Sequence, residues 1–134
     1  MKAQVKWIGE EMFIGTSDSG HTIVLDANAG ALAPSPLENV LISLGACSSV
    51  DVVNILEKSR QTITSCQVEI SAQRVDSVPK LFSDIHLHFI IQGDDVGTKH
   101  VERAVSLSAN KYCSVALMLN KSVNITHDYE VISL

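Results

Sequence analysis

The chain has 134 residues, 46% of them hydrophobic and 19% charged, with a net charge of −5. That length fits one domain, 1–134, better than two, and the apolar share can build a buried core, which excludes a disordered chain. Lys and Arg are scattered singly, with no basic run to displace counterions from a phosphate backbone, so nucleic acid is not expected as a partner.

Short β-type runs come first, at 5–8, 12–15 and 21–26, punctuated by Gly9, the segment 16–20 and the turn 28–30. The opening Met1-Lys2-Ala3-Gln4-Val5-Lys6-Trp7 has no apolar core, so a secretory signal is not expected. Ser35-Pro36-Leu37-Glu38 then reads as a helix start. Ser35 can cap the helix, Pro36 can occupy its first position, and Glu38 can reach back to close a capping box. From there Leu37, Val40, Leu41, Leu44, Cys47 and Ile55 share one helical face. Ala46, Val50, Val52 and Val53 make most of the remainder apolar, which predicts a helix buried on several sides. The most apolar stretch, 40–50, is broken by Ser43, Gly45, Ser48 and Ser49. It is shorter than the roughly 20 apolar residues that cross a bilayer, so no membrane is expected.

Two alternating segments follow, 66–76 and 81–91, joined by the hairpin-sized Ser77-Val78-Pro79-Lys80. A second helical region opens near Asp94-Asp95, with Val101, Ala104, Val105 and Ser108 as its inner stripe. After Asn110-Lys111-Tyr112-Cys113, residues 114–119 read as a short buried helix. The last strand puts Val123, Ile125, His127, Tyr129 and Val131 on one side. The order βββ-α-ββ-α-α-β predicts an α+β domain, an antiparallel sheet with helices packed on one face.

Three cysteines at irregular spacing do not form a disulfide framework, which points to a reducing cytoplasmic setting. Cys47 lies on an apolar helical face, where a thiol is ordinarily inert packing, and Asp51 one turn later disfavours a thiolate. Cys113 stands before a helix with Lys111 nearby, and both features favour a thiolate; core packing is the competing reading. Cys66 alternates with Val68 and Ile70 and reads as structural. His86 and His88 share a strand face, but two ligands alone are no metal site, and a solvated polar face is the better reading. His127 reads as a hydrogen-bonded core histidine. No phosphate loop, dinucleotide fingerprint, nucleophile elbow or zinc-protease motif is present.

Two segments resemble the OsmC/Ohr family of cysteine-based hydroperoxide reductases, in its YhfA-like branch. One is Ala33-Pro34-Ser35-Pro36-Leu37-Glu38-Asn39-Val40-Leu41 running into Gly45-Ala46-Cys47-Ser48-Ser49-Val50-Asp51-Val52-Val53. The other is Ser108-Ala109-Asn110-Lys111-Tyr112-Cys113-Ser114-Val115-Ala116, and the closing Val123-Asn124-Ile125-Thr126-His127 is similar too. The resemblance implies an OsmC-like fold with a long central helix, assembled as an intertwined homodimer. It implies Cys47 as the nucleophile toward an organic hydroperoxide, Cys113 as the resolving thiol, and an external dithiol as reductant. No metal or organic cofactor is implied. Two departures stand out. The family's activating Arg on the N-terminal strands has no counterpart, because the first Arg is Arg60. The family's Glu ten residues before the first cysteine falls on Leu37, with Glu38 one residue out of register. Glu38 and Asp51 are therefore the candidate supporting carboxylates, and a weak or atypical reductase is the expected activity. The competing expectation is a non-catalytic homodimer that binds a small apolar ligand at its interface.

Overall fold

A computed structural model describes residues 1–134. Its elements are β1 (Ala3–Gly9), β2 (Met12–Ser17), β3 (Thr22–Asp26), α1 (Pro36–Lys58), β4 (Thr62–Arg74), β5 (Phe82–Asp94), α2 (Thr98–Leu107), α3 (Ser114–Leu119) and β6 (Asn124–Ser133). A single π-turn, Ser108–Tyr112, joins α2 to α3. The order is the one expected, and the chain divides into two compact units, Met1–Ile42 and Ser43–Leu134.

In the first unit β1, β2 and β3 form an antiparallel meander. Gly9 and Glu10 turn the first hairpin at positive φ, and the Trp7 indole N–H donates to the Glu10 carbonyl at 2.8 Å. The buried Asp26 carboxylate accepts from the backbone N–H groups of Asn28 and Leu32, which orders the loop ahead of α1. The predicted capping box is present. Ser35 N–H donates to Glu38 Oε1 at 2.9 Å and Glu38 N–H donates to Ser35 Oγ at 3.2 Å. The Ser35 backbone N–H, and after it the Ser35 hydroxyl, hold the Glu38 carboxyl below the usual carboxylate range.

The second unit is organised by the sheet β4-β5-β6. β5 is its middle strand, and the alternation seen in the sequence buries Ile85, Leu87, Phe89 and Ile91. β4 pairs with β5 antiparallel through the hairpin, as expected. β6, however, joins β5 in parallel, so the sheet is mixed rather than antiparallel. The reason is the connection: a tight turn returns a strand antiparallel, whereas a helical crossover through α2 and α3 permits the parallel direction.

α1 is a continuous helix of 23 residues and, by length and composition alone, is long and apolar enough to cross a bilayer. Leu44, Gly45, Ser48, Val52 and Leu56 form its buried face. A Cβ on Gly45 would stand 2.6 Å from Ile70 Cδ1 and 3.2 Å from Val68 Cγ1, so glycine permits the close approach to β4. The helix is not buried on several sides: Ile42 and Val50 are more than half exposed.

Candidate functional site

α1 carries Cys47 on its flank, half-buried, one residue before the buried Ser48. Cys113 arrives from the other end of the crossover. The π-turn closes with the Cys113 N–H donating to the Ser108 carbonyl at 2.9 Å. The backbone then turns extended at Cys113, which becomes the N-cap of α3, its sulfur accepting from the Ala116 N–H at 3.4 Å. Cys113 therefore stands at the start of a helix, as expected, and its side chain caps that helix.

The two thiols meet in this arrangement. Both are free, and they differ sharply in exposure: Cys113 is 0% exposed, whereas Cys47 is half-buried. Cys47 is close enough to push up the Cys113 thiol. Burial pushes the Cys113 thiol up first; hydrogen bonds from Ser48 and Ala116 pull it down, and the neighbouring Cys47 pushes it up again. Of the two readings of Cys113, a thiolate favoured by the helix end and Lys111 or core packing, its burial fits the second, because removal from water outweighs the cap. Lys111 instead lies with its ammonium 5.4 Å from the centre of the Tyr112 ring.

Two serines tie the pair together. Ser48 Oγ donates to Cys113 Sγ at 3.4 Å. Ser108 Oγ donates to Asp51 Oδ2 at 3.0 Å and also lies 3.3 Å from the Ser48 carbonyl oxygen. Asp51, foreseen as a carboxylate beside Cys47, thus serves as an acceptor fastening the π-turn to α1. It also borders an open cleft of about 470 Å³ that Lys58, Arg103 and Tyr112 help to line. Sequence reading missed Ser48 and saw Ser108 only as part of a helical stripe. The available signal was a hydroxyl on each buried helical face, at positions where an apolar residue would pack equally well.

The remaining candidates lie elsewhere. Cys66, on β4, sits among Ser49, Val50, Val53 and Asn54. Burial pushes its thiol up, partly offset by Ser49. His86 and His88 occupy the polar face of β5, both within hydrogen-bond reach of Asp128 Oδ1, at 2.9 and 2.6 Å. Those contacts raise His88 and lower Asp128. No group of three or more His, Cys, Asp or Glu is spaced to hold a metal ion. His127 is half-buried and lines a cavity of about 80 Å³ shared with Ser48, Ser108, Asn120 and Ala116. It borders that cavity rather than a closed core because β6 is the edge strand of its sheet.

Residues 28–128 match the family described as OsmC-like protein. The chain is 53% identical over 133 residues to Protein YhfA of Escherichia coli strain K12, covering 99% of each. The crystal structure of a hypothetical protein from Aquifex aeolicus VF5 is 30% identical, with a TM-score of 0.90 over 99% of this chain and 96% of that one. The Organic Hydroperoxide Resistance Protein OhrB of Bacillus subtilis is 17% identical, with a TM-score of 0.64 over 97% and 98% of the two chains. At that identity the likeness is one of fold.

Proposed function

We propose that this chain, which belongs to the OsmC-like protein family, is a dithiol redox protein that reduces organic hydroperoxides through Cys47 and Cys113. The observation that carries the reading is the meeting of two free thiols from distant parts of the chain, one half-buried and the other with no exposure. The half-buried Cys47 is the one a peroxide can reach. Its thiolate attacks the terminal peroxide oxygen, the O–O bond breaks, and the alkoxide leaves to be protonated as an alcohol. Cys47 is then a sulfenic acid, and Cys113 condenses with it to a disulfide with loss of water. An external dithiol restores both thiols by exchange. This scheme uses no metal or organic cofactor.

The activity is expected to be weak, because the first Arg is Arg60 and Glu38 is engaged in its capping box. A homodimer is the proposed assembly, supported by the exposed apolar side chains Val5, Trp7, Ile23, Ile42 and Val50. A reducing cytoplasm is the proposed setting, supported by three free thiols.

Stoichiometric tert-butyl hydroperoxide should consume two thiols per chain and link Cys47 to Cys113, leaving Cys66 reduced. Turnover with added dithiol should vanish in Cys47→Ser. Peptide maps that put Cys66 in the disulfide, or full turnover in Cys47→Ser, would sink the assignment.

A further inference from the structure

We infer that Ser48 is a positioning residue for Cys113: its hydroxyl and the Ala116 N–H form a two-donor seat that accepts the charge developing on the Cys113 sulfur as the disulfide closes. The inference deepens the dithiol reading and takes its functional meaning from it.

Ser48 is 2% exposed and Cys113 is 0% exposed, so neither is solvated by bulk water. The sulfur accepts from Ser48 Oγ and from Ala116 N, each at 3.4 Å. A neutral thiol is a weak acceptor, so two donors aimed at one are poorly matched to the resting state. A thiolate is a charged acceptor, and the same donors suit it well. Interactions that strengthen only as charge builds are the ones that lower a barrier. Burial keeps Cys113 protonated at rest, and the seat lowers the cost of losing that proton. Ser48 follows Cys47 directly on α1, so one helical turn carries both the attacking sulfur and a donor to the resolving one. The Ser108–Asp51 bond holds the π-turn against that same turn of α1, which sets the spacing between Ser48 and Cys113.

In the resolving step the S–O bond of the Cys47 sulfenic acid breaks and the Cys47–Cys113 S–S bond forms. The Cys113 proton departs with the hydroxyl as water; the Cys113 sulfur is oxidised and the sulfenic sulfur reduced. The titratable group that acts directly on Cys113 is Cys47 on α1; Asp51 on α1 reaches it through Ser108, and Lys111 and Tyr112 precede it in the π-turn.

The first test needs no peroxide. In a Cys47→Ser, Cys66→Ser background, the pH dependence of alkylation by iodoacetamide reports the ionisation of Cys113, the one thiol left. Ser48→Ala should move its midpoint up by about half a pH unit or more, and Ser48→Thr, which keeps the hydroxyl, should restore it. An unmoved midpoint in a variant with native circular dichroism overturns the inference. The second test uses the three-cysteine chain and traps sulfenic acid with dimedone after hydroperoxide addition. Ser48→Ala should lengthen the sulfenic acid lifetime about tenfold without slowing its formation, the loss expected for one hydrogen bond to a charged group. A sulfenic acid that forms but resolves at the original rate overturns the role of Ser48 and leaves the dithiol reading intact. Absence of both a trapped sulfenic acid and a Cys47–Cys113 disulfide in the unsubstituted chain overturns the dithiol reading, while the midpoint still decides whether Ser48 seats the sulfur.

Discussion

The two three-stranded sheets share an alternating pattern and meet opposite fates. In β4-β5-β6 the strands reach 13 residues, and the middle one buries Ile85, Leu87, Phe89 and Ile91 almost completely. In β1-β2-β3 they have five to seven residues, and Val5, Trp7 and Ile23 remain 64%, 63% and 48% exposed. The β4-β5-β6 sheet has helices of its own unit, carrying Leu44, Val52, Leu56, Val101 and Val105, to supply a core, unlike β1-β2-β3. The β1-β2-β3 sheet has apolar side chains but almost no interior. Three short strands with an uncovered apolar face are a marginal structure in water. The comparison separates a unit that holds its own core, and with it both thiols, from one that leaves its apolar side chains exposed within the single chain.

The largest effect expected from that contrast concerns assembly. If a second copy covers the N-terminal strands, sedimentation at micromolar concentration should show a dimer, and the unfolding midpoint should rise with protein concentration. Replacing Trp7 and Val5 together by Glu should produce a monomer. A monomeric unsubstituted chain would break the comparison, because the exposed face would then need no cover.

A core deletion sharpens it. Phe89→Ala should cost about 3–5 kcal/mol by the combined loss of burial and the cavity left behind. Thr16→Ala, on an exposed stretch of β2, should fall within about 0.5 kcal/mol in chemical denaturation. Similar losses at the two positions would mean that the units are less different in packing than their exposure suggests. A smaller effect is expected at the helix start. Ser35→Ala removes the hydroxyl that caps Glu38 N–H and should cost about 1 kcal/mol.

Local features were the legible ones. Ser35, Pro36 and Glu38 announce their helix because a capping box is written within four residues, and β5 announces its buried face by period-two alternation. What escaped depends on pairs distant in sequence. The parallel direction of β6 follows from how the crossover packs, which no local pattern encodes. The π-turn at Ser108–Tyr112 leaves no mark in helical periodicity until Cys113 is seen to arrive late by one residue. Within the single chain one side of α1 stays exposed at Ile42 and Val50, because apolar composition reports what could be buried and not what covers it. For the thiols, residue patterns alone left Cys47 and Cys113 as separate candidates, each with a packing alternative. Their meeting was implied only by the resemblance, and the raised Cys113 thiol follows from burial that sequence does not quantify.

The smallest predicted effect is a pH dependence, and its sign follows from that burial. In the folded chain the Cys113 thiol is pushed above its ordinary value, and Cys66 is pushed the same way. The unfolded thiols titrate near about 8.5. Between that value and the raised folded ones, the native state binds more protons than the unfolded state, so stability falls as pH rises. The contribution is fully present below about pH 8.5 and is lost progressively above it. Chemical denaturation at pH 7, 8, 9 and 9.5 under reducing conditions should show a declining stability in the unsubstituted chain. Cys66→Ala should flatten the decline in part, and Cys66→Ala with Cys113→Ala should flatten it further. An unchanged slope in the double variant would assign the alkaline loss to other groups, and would remove the claim that the second unit keeps Cys113 protonated by burying it.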